Sequence, residues 1–182
     1  MTNPAYEILL LSNIIISKIN EILEYTLRVE SIPAIVKSGD YDNIVQDSVK
    51  YKDSNSCIIF WELCNIIDGF QYKIDLFNNK QLDEILKKTM LEIDLVLMNL
   101  QKTSLVLFNK FTSIQFSNSN IRINYFEELA YKLNQYLEEK ISTNVRLVEL
   151  QKVIAIIGIE KSLDLRYYYS SKALYSIDFF KA

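Results

Sequence analysis

The chain has 182 residues, with 20 basic and 23 acidic side chains, a net charge of −3 and two cysteines. That length suits one domain able to bury roughly 70% of the surface its unfolded form exposes, with no disulfide or metal needed to hold it. The charge balance lacks the basic field that a phosphate backbone requires, and no run reaches the ~18 uncharged apolar residues of a membrane span.

No positive residue precedes the first apolar run, unlike a signal peptide, so the expectation is a soluble, cytoplasmic protein. A short apolar strand is expected over 7–11. Apolar residues at Ile15, Ile16, Ile19, Ile22 and Leu23, with Thr26 or Leu27, then set a helix over 14–28. Ser12-Asn13 is the turn between them, with the N-cap of that helix as its plain structural role. A second strand over 33–37 opens on proline, where a missing donor is harmless, and stops at Ser38-Gly39-Asp40. A short amphipathic segment over 42–49 and a polar stretch follow.

Residues 57–63, from Cys57 through Trp61 to Leu63, are apolar toward both faces, the composition of a central strand covered by helices on either side. Asn65 falls just past its carboxyl end. The connection over 66–79 is long for a strand-to-helix loop. The clearest helix runs over 81–100, where Leu82, Ile85, Leu86, Met90, Ile93, Val96, Leu97 and Leu100 form one stripe. A fourth strand over 104–108 ends on Asn109. After a polar loop at 117–120, a helix begins at Asn124 with Glu127 placed as in a capping box. A fifth strand over 145–150, a short helix over 151–157 stopped by Gly158 and an aromatic tail over 161–182 complete the chain.

Strands alternating with helices predict a three-layer α/β/α sandwich around a five-stranded, mostly parallel sheet of the flavodoxin-like kind. All strand C-termini then share one edge. Ser12, Asn13, Gly39, Asn65 and Asn109 should line a single polar crevice there.

The chain contains no histidine. A serine or cysteine triad of the usual type and a Cys/His zinc site are therefore excluded. The three glycines, Gly39, Gly69 and Gly158, have no phosphate-loop spacing. Cys57 and Cys64, about 23 Å apart if the chain between them is extended, cannot bridge and read as buried thiols. Asp40-Tyr41-Asp42 after a strand is similar to the D-x-D opening of haloacid dehalogenase (HAD) phosphatases. The threonine usual there is absent, and ordinary turn chemistry explains the acids.

The order of a small polar residue after the first strand, glycine after the second and asparagine after the third resembles the SGNH-hydrolase fold. The corresponding stretches are Leu11-Ser12-Asn13, Gly39, Asn65 and Asp164-Leu165-Arg166-Tyr167, with Tyr167 standing where that family has histidine. A closer resemblance, over essentially the whole chain, is to the N-terminal SGNH-like domain of FkbH-like proteins. It is carried by Leu11-Ser12-Asn13-Ile14, Gly39-Asp40-Tyr41, Gln46-Asp47-Ser48, Leu107-Phe108-Asn109-Lys110-Phe111, Leu133-Asn134, and Asp164 to Tyr168 with Tyr175-Ser176.

That resemblance implies one bacterial SGNH-like domain over 1–182, whose aromatic tail leads toward a HAD-like domain absent from this chain. It implies a role beside a phosphatase or glyceryl transferase in polyketide or surface-glycan biosynthesis. The implied partners are a HAD-like domain, in cis or trans, and an acyl carrier protein, with no nucleic acid and no membrane. No cofactor is expected in this chain, and magnesium only in the HAD domain. The implied crevice comprises Ser12, Asn13, Gly39, Asn65, Asn109, Asp164, Arg166 and Tyr167. Ser12, Asn13 and Asp164 are its catalytic candidates, and no residue is expected to bind metal.

Three functions follow from these readings. The first is a non-hydrolytic binding module, since tyrosine, with an ordinary pKa near ~10, is a poor base. The second is an active esterase or acyltransferase using Ser12 with Asp164, and the third a structural docking domain. Asp164 and Arg166 also read as an ion pair fixing the tail, and Tyr167-Tyr168-Tyr169 as packing or a stacking platform.

Overall fold

The structure is a computed structural model that describes residues 6–16, 18–114, 116 and 124–182. The expected loop at 117–120 lies outside the described residues. Five parallel strands form one sheet in the order β2-β1-β3-β4-β5: β1 Tyr6–Ser12, β2 Ala34–Ser38, β3 Ser56–Phe60, β4 Leu105–Asn109 and β5 Val145–Val148. The three-layer α/β fold expected from the sequence is present. The strand order reverses between β1 and β3, and their shared carboxyl edge is where open α/β sheets place their ligands.

Leu9, Leu10 and Leu11 of β1 and Cys57 and Ile59 of β3 are at most 1% exposed. Each fully buried leucine contributes about 1.5–3 kcal/mol relative to exposure, so these two strands anchor the core. The outer strand β2 buries only Val36. Its free edge is guarded: helix α1, Lys18–Val29, lays Glu24 across it, and the Val36 N–H donates to Glu24 Oε1 at 2.9 Å. A capped edge amide cannot recruit a foreign strand.

One helical layer holds α2 (Ile44–Lys50), α4 (Asn79–Asn99) and α5 (Tyr125–Lys140), which pack in a row. Helix α4 begins two residues before the sequence expectation because Asn78 and Gln81 form a full capping box. Asn124 caps α5 by accepting from the Glu127 N–H. The other layer joins α1 to the tail, which folds as α6 (Leu150–Ile157), α7 (Ile159–Ser162), α8 (Leu165–Ser171) and α9 (Ile177–Lys181). Tyr168, Leu174, Tyr175 and Phe179 are buried, and the Tyr175 and Phe179 rings stack 4.0 Å apart. The aromatic tail is thus built into this domain's own core.

Other boundaries also differ from the sequence expectation, β5 among them, which stops at Val148. Helix α1 starts at Lys18, so Ser12 ends β1 and does not cap a helix; Ile14 and Ile16 are buried in the intervening loop. β3 stops at Phe60, after which the chain turns into a 3-10 segment, Leu63–Asn65, and Cys64 is no longer in extended chain. Both cysteines are nevertheless free and buried. Beyond Asn65 the supposed irregular connection contains α3, Phe70–Lys73, and a second 3-10 turn, Ile74–Leu76. Gly69 precedes α3 at φ +72°, in the left-handed region that favours glycine. Among the described residues no helix is long and apolar enough to cross a membrane.

Candidate functional site

The carboxyl edge of the sheet carries polar side chains in two groups. The first lies at the reversal point. Ser12 pairs in register with Phe60 and is 7% exposed; its Oγ accepts the Ile14 N–H at 3.0 Å. Among the described residues no carboxylate or amine hydrogen-bonds that hydroxyl, so nothing prepares it as a nucleophile. Asn13 uses its amide as a substitute peptide group. Its Oδ1 accepts the Glu62 N–H at 2.7 Å and its Nδ2 donates to the Glu62 carbonyl at 2.9 Å, stitching the end of β1 to the chain leaving β3.

Gly39 donates its N–H to the Leu10 carbonyl, and an added Cβ would sit 2.5 Å from Asp47 Oδ2 and 2.8 Å from a Leu11 methyl. The glycine is there because the neighbouring chain comes this close. Asp47 in turn accepts from the Asp40 N–H and from Asn43 Nδ2, so the Asp40-Tyr41-Asp42 segment is held as a turn. Asn65, 4% exposed, donates one N–H to the Asn13 carbonyl and the other to Tyr41 Oη at 2.9 Å.

The second group is sealed. Glu62, two residues beyond β3, is fully buried. Tyr175 Oη and Asn109 Nδ2 donate to its Oε1 at 2.7 and 3.1 Å, and Thr112 Oγ1 donates to its Oε2 at 2.7 Å. Burial pushes the Glu62 carboxyl up to about 7, against the opposing pull of the Thr112 and Tyr175 hydrogen bonds. The same burial, with the Glu62 charge beside it, pushes the Tyr175 hydroxyl up as well. Glu62 is no general base for a substrate, because its oxygens face only protein donors.

Of the expected crevice, the structure brings together Ser12, Asn13, Gly39 and Asn65. Asn109 does not join them. It is 2% exposed, holds the Trp61 N–H and carbonyl at 2.6 and 3.1 Å, and belongs to the Glu62 cluster. Asp164 is also committed elsewhere: its Oδ1 caps α8 by accepting the Arg166 and Tyr167 N–H groups. Its other oxygen stands 3.6 Å from the Arg166 guanidinium, a pair with the arginine 91% exposed. Tyr167 projects outward at 61% exposure, whereas the next residue, Tyr168, is buried and donates to the Cys64 carbonyl at 2.9 Å. Asp164 and Arg166 line a separate cleft of about 480 Å³ with Ile114, Phe116 and Leu163.

Among the described residues no group of three or more Asp, Glu or Cys side chains converges to hold a metal ion. Sequence reasoning missed Glu62, which it placed inside a strand, and Tyr41, which it treated as turn. The signal for Glu62 was present: one charge inside an apolar run is either a surface residue or a buried group with partners.

No protein-family model matches the sequence, and no curated protein is similar to it at the sequence level. Solved structures are similar in fold. The N-terminal part of BF1531 from Bacteroides fragilis, described as containing a phosphatase domain complexed with Mg, superposes with TM-score 0.77 at 15% identity, over 98% of this chain and 49% of that one. The salicylyl-acyltransferase SsfX3 from a tetracycline biosynthetic pathway gives 0.54 at 10% identity, over 100% of this chain and 53% of that one. The acetyl xylan esterase Axe2 of Geobacillus stearothermophilus gives 0.54 at 12% identity, over 96% and 89%. This chain spans about half the length of the first two. At these identities the likeness concerns the fold alone, and the fold is SGNH-hydrolase-like.

Proposed function

We propose that this chain is a non-hydrolytic SGNH-like module of an FkbH-like protein, binding a substrate, carrier or partner domain for a HAD-type phosphatase or glyceryl transferase. The observation that carries the reading is the state of Ser12. Its hydroxyl accepts a backbone N–H from its own turn, in a chain without histidine. Asp164, the acid nearest to the family's catalytic pair in sequence, is spent on capping α8. Losing a positioned general base removes about 10² to 10⁴ in rate. The likeness to a phosphatase-bearing protein of about twice this length favours a HAD-type partner, with an acyl carrier protein as the second candidate.

An active acyltransferase using Ser12 is the alternative, favoured by the fold shared with an acyltransferase and an esterase. Hydrolysis of short-chain p-nitrophenyl esters separates the two. The expected result is turnover at the background rate, equal in the wild type and in Ser12→Ala. Turnover abolished by Ser12→Ala would overturn the binding-module reading.

A further inference from the structure

Helix α1 fully buries none of its side chains, whereas α4 and α5 in the opposite layer each bury several. Its apolar residues form two stripes. Ile19, Leu23 and Leu27 pack on the core. Ile22, Tyr25 and Val29 recur at three- and four-residue steps beside them, and Tyr25 and Val29 are 69% and 63% exposed. Lys18 continues that row one turn earlier, with an aliphatic stem to lay along it. The spacing 18, 22, 25, 29 is that of a coiled-coil seam, and it runs the whole length of the helix. Along it opens a cleft of about 610 Å³ between α1 and α9, lined by Ile19, Ile22, Leu23, Tyr25 and Phe180 among others. By the same spacing Ile19 and Thr26 flank the seam on one side, Glu21 and Arg28 on the other. Glu21 and Arg28 are exposed and have no ion-pair partner among the described residues.

We propose that α1 is the interface of a homodimer, in which two copies of the helix pack antiparallel about a two-fold axis at their midpoint. Ile22 of each copy then meets Tyr25 of the other, and Lys18 lays its stem on Val29. Glu21 of each copy faces Arg28 of the other, so two ion pairs flank the contact while the helix dipoles run in opposite directions. A parallel pair would instead oppose Lys18 to Lys18, and an antiparallel pair shifted by one heptad would oppose Arg28 to Arg28. The Tyr25 ring of the second copy lies over Ile22 at the mouth of the cleft, where a buried aromatic side chain anchors an interface. A patch complementary to its own copy is what a two-fold dimer requires. Pairing through the free edge of β2 is no competing route there, because Glu24 caps the Val36 amide. The dimer does not depend on what the crevice binds.

The test is the mass of the intact chain in solution, measured by size-exclusion chromatography with light scattering from micromolar to millimolar concentration. The wild type should rise with concentration to twice the 21.3 kDa of one chain and no further. Tyr25→Glu, which puts a carboxylate into the seam, should keep the mass of a single chain throughout, with an unchanged far-UV circular dichroism spectrum. Arg28→Glu sets like charges against each other twice and should weaken the dimer about tenfold or more. Adding Glu21→Arg to Arg28→Glu restores opposite charges across the contact and should recover most of that loss. A wild type of single mass at every concentration would leave α1 to a different protein and overturn the proposal. Assembly that grows past the dimer, a dimer indifferent to Tyr25→Glu or Arg28→Glu, or no recovery in the charge-swapped double variant would overturn it as well.

Discussion

The two polar groups along the sheet's carboxyl edge have opposite relations to water. Around Glu62 every donor is turned inward, and Asn109, Thr112 and Tyr175 each donate to one carboxyl that solvent does not reach. Around Asn65 the donor is equally buried, but its acceptor is an exposed phenol. A buried polar network that is fully satisfied by protein specifies structure, whereas the Asn65 donor is closed by a side chain that reaches solvent. Asn13 joins the two, because its amide clasps the Glu62 backbone while its carbonyl accepts from Asn65.

The largest effect should come from breaking the sealed group. Glu62→Ala leaves the Thr112 and Tyr175 hydroxyls without their acceptor and opens a cavity, at an expected cost of about 3–5 kcal/mol in urea unfolding. Next is the pH dependence of stability. The folded carboxyl titrates near 7, against an unfolded value of 4.5. Between those values the folded state keeps a proton that the unfolded state has released. The contribution of this carboxyl to stability is therefore greatest below 4.5, declines as pH rises through this window and levels above about 7, a loss of up to ~3 kcal/mol. Glu62→Gln should flatten that part of the profile, and an unchanged slope would contradict the assignment.

Smaller changes sharpen the outer side of the comparison. Asp164→Ala removes the cap of α8 and should cost about 1 kcal/mol of stability in thermal or urea unfolding. If Asp164 were instead a catalytic base, the same change would reduce ester turnover without lowering stability. Ser12→Ala should alter stability by no more than about 1 kcal/mol, the net worth of one hydrogen bond.

The fold was readable because its main signal is burial on two faces: the apolar run from Cys57 located the central strand, and the stripe from Leu82 to Leu100 located α4. What the sequence hid was direction. Glu62 looked like one more position of the strand because Trp61 and Leu63 flank it, yet the chain turns there and carries the carboxyl inside. Ile16 matched helical spacing, but it is buried with Ile14 in a loop where the Asn13 amide replaces strand pairing. Asn109 was correctly placed at the end of a strand, and its inward orientation depends on Glu62 and the Trp61 backbone, which no spacing rule contains. The tail gave no period because its helices α7 to α9 are 4, 7 and 5 residues long. Such helices are held by packing of Tyr168 and Phe179 more than by local propensity.

The availability of the Ser12 hydroxyl can be measured directly by treating the intact protein with a serine-directed fluorophosphonate and weighing it by mass spectrometry. An unmodified mass, identical to that of Ser12→Ala handled in parallel, is the expected outcome. A single phosphonate adduct mapped to Ser12 would contradict a crevice that binds without catalysis.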